Sequence, residues 1–154
     1  MRLRPPRTPE REEIVTLHVD VAEAPTVQGR TRKVLLLEDR NDYQEVLRDY
    51  LVSCSYDVIS VNSGIDGLRD IMNKGGFDLI LCDMMMPHMG GEMFYWAVTR
   101  VRPATRERFI FFTGHRNNPR IEFFFRRVNA RVLYKPFKLS VLDSEIREVF
   151  RKVE

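Results

Sequence analysis

From Lys33 onward, short unbroken apolar runs alternate with stretches in which apolar residues recur every three or four positions. The short runs predict strands over residues 34–37, 58–61, 79–82, 109–112 and 132–134. The first, third and fourth of these hold no polar side chain, which suits strands covered on both faces. The spaced stretches predict amphipathic helices. Tyr43, Val46, Leu47, Tyr50 and Leu51 form one stripe; Ile65, Leu68, Ile71 and Met72 a second; Phe94, Ala97, Val98 and Val101 a third. Ile121, Phe124, Phe125 and Val128 follow Pro119, which suits a first helical turn, and Leu142, Ile146, Val149, Phe150 and Val153 make the fifth stripe. The pair Gly75-Gly76 ends the second helix. Strand and helix alternating in five units predict an α/β domain with a parallel sheet and crossover helices.

Residues 1–32 differ in texture, with prolines at 5, 6, 9 and 25 and no helical period, and read as an N-terminal extension to a domain over 33–154. Within the extension, Val15, Leu17, Val19 and Val21 alternate with Thr16, His18 and Asp20, the period of one short half-buried strand. A chain of 154 residues suffices for one core, and 44% apolar with 31% charged residues is an ordinary globular balance. No apolar run approaches the roughly 20 residues of a membrane span. No apolar segment follows the basic N-terminus to make a secretory signal, so the expected location is the cytoplasm, with no membrane partner. Cys54 and Cys82 sit among apolar neighbours and read as buried free thiols. A net charge of +3 is too small to argue for nucleic acid. Nine arginines between Arg100 and Arg131, against Glu107 and Glu122 alone, read first as a solvated basic face.

In an open α/β sheet, ligands bind beyond the carboxyl ends of the strands. Glu38 and Asp39 follow the first predicted strand, Asp83 the third, Thr113 the fourth and Lys135 the fifth. Three carboxylates gathered at one sheet end repel one another unless a cation sits among them. A hard divalent ion meets that need, and Mg2+ fits the small number of carboxylates better than calcium does. A carboxylate can also be a nucleophile toward phosphorus. Lys135 and the metal would then neutralise the transferring group, while the Thr113 hydroxyl could hydrogen-bond a phosphoryl oxygen and Gly114 leaves the approach open.

Four separated segments carry a family resemblance: Val34-Leu-Leu-Leu-Glu-Asp39, then Asp78-Leu-Ile-Leu-Cys-Asp-Met-Met-Met-Pro87 with Gly90-Gly91, then Phe112-Thr-Gly114, then Tyr134-Lys-Pro-Phe137. In this order they resemble the response-regulator receiver domains of two-component signalling, over about Lys33 to Lys152. The resemblance implies a doubly wound, flavodoxin-like sheet of five parallel strands in the order 2-1-3-4-5 with five helices. It implies Asp83 as the phosphoacceptor, with Glu38, Asp39, Asp83 and the backbone carbonyl of Met85 around Mg2+. Thr113 and Lys135 would contact the phosphoryl group, and the Lys135-Pro136 bond would be cis.

The implied activity is that of a phosphoacceptor assisting its own phosphorylation and dephosphorylation, not of an enzyme with a separate substrate. The implied donor is a phosphohistidine of a histidine kinase or histidine phosphotransfer protein. No helix-turn-helix pattern follows the fifth stripe, so the expected output is protein contact or phosphorelay, with an output partner the sequence does not name, and not direct DNA binding. The segment 112–137 also resembles receivers appended to hybrid sensor kinases. A receiver-like interaction module that works without phosphorylation is the alternative, against which the intact acidic pair, Asp83, Thr113 and Lys135 argue.

Two positions depart from the family pattern. Val132 stands where many members carry an aromatic ring that swings on activation, and Met85 is apolar where a polar side chain could aim water at the aspartyl phosphate. On the fourth helix, Phe123 falls about 200° from Ile121 at 100° per residue, beside Arg120 and Arg127. An exposed Phe beside two arginines reads either as an interface anchor or as a singly exposed apolar residue that needs no explanation.

Overall fold

The computed structural model describes residues 30–153; the strand pattern at 15–21, like residues 1–29 of the extension, lies outside the described residues. The apolar runs become β1 (Lys33–Leu37), β2 (Asp57–Val61), β3 (Leu79–Asp83), β4 (Phe109–Thr113) and β5 (Val132–Tyr134). They form one five-stranded sheet in the order β2-β1-β3-β4-β5. Every pairing is parallel, with Leu35 opposite both Ile59 and Ile80, Leu81 opposite Ile110 and Phe112 opposite Leu133. Parallel neighbours need crossovers, and four spaced stretches supply them: α1 (Asn41–Ser53), α2 (Gly64–Lys74), α3 (Gly91–Val101) and α4 (Pro119–Val128); the fifth, α5 (Leu139–Val153), follows β5.

Because side chains alternate along a strand, each central strand feeds two cores. Val34, Leu36, Leu81, Ile110 and Phe112 pack with Leu47 and Leu51 of α1 and with Ile146 and Phe150 of α5. Leu35, Leu37, Ile80, Cys82 and Phe111 pack on the other face with Ile71, Phe94, Val98 and Phe124. Full burial of each such side chain is worth about 1.5–3 kcal/mol, which explains why unbroken apolar strands lie in the middle of the sheet. Cys54 and Cys82 are buried free thiols, as expected. Among the described residues no helix is long and apolar enough to cross a membrane.

Three local features differ from the apolar pattern. Helix α2 docks through Gly64, Gly67 and Ile71, while Ile65 and Met72 of the predicted stripe are exposed. A Cβ on Gly64 would lie 2.6 Å from the Met89 carbonyl oxygen, and one on Gly67 2.6 Å from a Leu37 methyl, so the helix comes closer than any side chain allows. Helix α3 buries Tyr95 beside Phe94 and Val98 and leaves Val101 exposed, because the Tyr95 ring sits edge-on to Phe109 at 5.0 Å and to Phe124 at 5.5 Å. A sixth helical segment, the 3-10 turn Pro103–Arg108, joins α3 to β4 where none was predicted. Four of its six residues are polar, and only Thr105 is buried, its hydroxyl donating to the Arg102 carbonyl.

The caps are local. Asn118 Oδ1 accepts the backbone N–H groups of Arg120 and Ile121, Pro119 opens α4, and Asn129 closes it in the left-handed region at φ 52°. These caps fix where α4 begins relative to the end of β4, and so where its exposed face points.

Candidate functional site

The carboxyl ends of β1 and β3 place Glu38, Asp39 and Asp83 side by side, one carboxylate oxygen of each within 4.8 Å of the others. Glu38 is fully buried, Asp83 nearly so and Asp39 partly exposed. Lys135, from the end of β5, reaches across the sheet end with its Nζ donating to Glu38 Oε1 and Oε2 at 3.2 and 3.1 Å and to Asp83 Oδ2 at 2.9 Å. Its ammonium lies 4.3 Å from the centre of the Tyr43 ring, an additional electrostatic hold on a buried cation. The Lys135-Pro136 bond is cis, as the resemblance implied.

One ammonium does not balance three carboxylates. Burial pushes the Glu38 carboxyl up from 4.5 to about 9, and the neighbouring Asp83 pushes in the same direction while Lys135 pulls back. Three hard oxygen donors with a deficit of positive charge are the donor set a small divalent cation requires. The residues present therefore fit Mg2+, which Glu38, Asp39 and Asp83 could hold through their carboxylates.

Met85 and Thr113 adjoin this cluster. The backbone N–H of Met85 donates to Asp83 Oδ1 at 3.0 Å, so both Asp83 oxygens are held, one by an amide and one by Lys135. The Met85 side chain is exposed. Thr113 ends β4 one residue past Phe112, the partner of Asp83 in the ladder, and is fully buried. Its Oγ1 accepts the His115 N–H at 3.0 Å, which leaves the hydroxyl proton free to donate elsewhere. Gly91, at the start of α3, lets the loop after β3 close: a Cβ there would meet the Asp83 carbonyl oxygen and the Met84 sulfur, both at 2.9 Å.

Val132 is half-buried at the edge of the core under α2, α3 and α4. The aromatic residue of β5 is instead Tyr134, whose hydroxyl donates to Glu122 on α4 at 2.8 Å while Arg116 lies over its ring at 4.8 Å. Phe123 is 61% exposed, as its helical position predicted. Arg120 is largely in solvent, in loose contact with Glu92 at 3.8 Å, and Arg127 stacks 5.3 Å from the Trp96 ring.

Two contributors escaped the pattern of strand ends. Tyr43 was legible only as a core position of the first stripe. Gln44, beside it, donates through Nε2 to the carbonyls of Glu38 and Val61 and to Asn62 Oδ1, tying the loop that carries the acidic pair to the end of β2. No signal in the sequence marks that amide. The basic stretch does not form one face: Arg108 donates to the Asp78 carbonyl, Arg131 pairs with Glu145 on α5, and the others divide among α3, the 3-10 turn, α4 and the segments that connect them.

Residues 34–147 match the family model described as response regulator receiver domain. The response regulator receiver protein CpdR of Brucella abortus is 30% identical over 119 residues, which span 77% of this chain and 96% of CpdR. The transcriptional regulatory protein PcoR of Escherichia coli is 28% identical over 122 residues, 79% of this chain but only 52% of PcoR. The receiver domain of sensor histidine kinase PA1611 from Pseudomonas aeruginosa, solved with a magnesium ion in its active-site cleft, superposes with a TM-score of 0.70 at 24% identity, covering 79% of this chain and 98% of that one.

Proposed function

The chain belongs to the response regulator receiver family of two-component signalling, and from that premise we propose that Asp83 is its phosphoacceptor, charged by a phosphohistidine of a histidine kinase or histidine phosphotransfer protein. The observation that carries this reading is the bridge from the Lys135 ammonium to Asp83 and Glu38 inside a cluster of three carboxylates. Such an arrangement is costly to bury, and a surface that only docked a partner would gain nothing from it.

In the reaction, a carboxylate oxygen of Asp83 attacks phosphorus in line with the departing ring nitrogen. The O–P bond forms as the N–P bond breaks, and the bonding pair returns to the imidazole, which leaves neutral when its second nitrogen carries a proton. The Met85 amide and Lys135 orient the Asp83 carboxylate before transfer. Lys135 then offers its charge to the arriving phosphoryl oxygens, and the free Thr113 proton hydrogen-bonds one of them. Glu38, Asp39, Asp83 and the Met85 carbonyl would hold Mg2+, which when bound would supply further positive charge toward the transferring group. Signal output is by protein contact or onward phosphoryl transfer.

Incubation with acetyl phosphate and Mg2+, followed by intact-mass measurement, tests the assignment. Wild type should gain one phosphoryl group that EDTA prevents, and Asp83→Asn should gain none. Equal uptake by both proteins refutes Asp83 as the acceptor.

A further inference from the structure

Helices α3 and α4 leave between them a groove of about 530 Å3 beside the phosphoacceptor loop. Its floor and walls include Met84, Met85, Met93, Trp96 and Ile121. Met93 is 62% exposed and Trp96 41%, and Phe123 stands on the neighbouring crest of α4. Met93 and Trp96 are three residues apart on α3, with Arg100 four further on; Arg120, Phe123 and Arg127 follow the same spacing on α4. Trp96 leans toward α4, its ring 6.0 Å from Phe124 and under the Arg127 guanidinium.

We propose that this groove docks an acidic amphipathic helix of a partner protein. Large apolar side chains clustered in solvent, with arginines at the rim, are the composition of an interface core. The charge selects the occupant. Arg120 lines the groove, the Arg127 guanidinium lies over the Trp96 ring, and Arg100 follows Trp96 by one turn on α3; Glu92, also in the lining, is in loose contact with Arg120, and the Glu122 carboxylate accepts from the Tyr134 hydroxyl. A two-fold contact with a second copy would set these arginines against themselves, which disfavours self-docking. An added strand has no place here, because the sheet edges are β2 and β5 and the groove is walled by helices. With 11 residues, α3 is about 16 Å long, which matches a partner helix of about three turns. Its leucine-type anchors would cover Met93, Trp96 and Phe123, and its carboxylates would meet Arg120 and Arg127. This goes beyond the phosphoacceptor reading, and its test uses no phosphodonor, so failure of one leaves the other standing.

Trp96 is the only tryptophan of the chain and reports directly. The full chain is titrated with a synthetic helical peptide of about 14 residues, Leu on one face and Glu on the other, and with its counterpart carrying Lys for Glu. The acidic peptide should shift Trp96 emission saturably and bind more weakly as salt rises, and the basic one should bind at least ~10-fold more weakly. Phe123→Ser, and separately Arg120→Glu with Arg127→Glu, should each weaken the acidic peptide ~10-fold or more. All three positions are exposed, so the fold should persist, and Arg48→Glu on α1 should leave affinity unchanged. No emission change, equal binding of both peptides, or an equal loss in Arg48→Glu overturns the proposal. So does self-association by sedimentation that involves the same residues.

Discussion

Replacing Glu38 by glutamine should stabilise the metal-free protein at neutral pH. The Glu38 side chain is fully buried, and burial together with Asp83 raises its carboxyl from 4.5 to about 9. In the unfolded chain the proton leaves near the ordinary value. Across the window between the two values the folded protein holds one proton more than the unfolded one, so stability falls as pH rises, by about 1.4 kcal/mol per unit. The accumulated deficit is about 3 kcal/mol near pH 7 and vanishes below the unfolded value. Glutamine has nearly the same shape, keeps a carbonyl for Lys135 and offers an amide to Asp83, and it carries no charge to desolvate. It should recover about 1–3 kcal/mol of the deficit. Urea unfolding in EDTA, followed by circular dichroism, measures the difference between wild type and variant at about pH 4.5 and about pH 7. The two should nearly coincide at the acidic end and separate at the neutral one. Mg2+ should then reverse the order, because a ligand adds stability in proportion to its affinity for the folded state and the variant has lost one charged donor. A variant no more stable than wild type near pH 7, or Mg2+ stabilising both alike, refutes the account of an acidic cluster short of one cation.

Lys135→Met should destabilise the metal-free protein by about 3 kcal/mol, since it leaves Asp83 and Glu38 buried together without their ammonium; urea unfolding checks this, and a loss below about 0.5 kcal/mol contradicts it. Gly91→Ala ought to be destabilising by about 1–3 kcal/mol despite the higher helix propensity of alanine, because the new methyl meets the Asp83 carbonyl oxygen and the Met84 sulfur at 2.9 Å. A gain in thermal stability there would mean that the loop has room to move.

The acidic pair, Asp83, Thr113 and Lys135 were legible because each follows an apolar run, and a strand buried on both faces has few other ways to be written. The helix α4 and its exposed Phe123 were legible for a related reason: strong period, an Asn118 cap and a Pro119 start are all local. The docking face of α2 was not, because Gly64 and Gly67 make their contacts by lacking a side chain, and an apolar count passes over them. The 3-10 turn at Pro103–Arg108 carries no apolar period to detect. Nor could any spacing show that Gln44 would meet three acceptors or that the Tyr43 ring would lie beneath the Lys135 ammonium.

The chain's own order of apolar and polar residues thus determined the element types, the parallel sheet and which groups finish its strands. Only tertiary structure decided their charge state and their company. Local patterns record how each segment divides between core and solvent. Burial first, and then Asp83, raises the carboxyl of Glu38 while Lys135 opposes the shift, and these partners are far away in sequence and near only once β1, β3 and β5 lie in one sheet. The groove of Met93 and Trp96 likewise exists only because α3 and α4 settle side by side on the same face of that sheet. Desolvation and close approach are properties of the assembled core, and no single segment carries them.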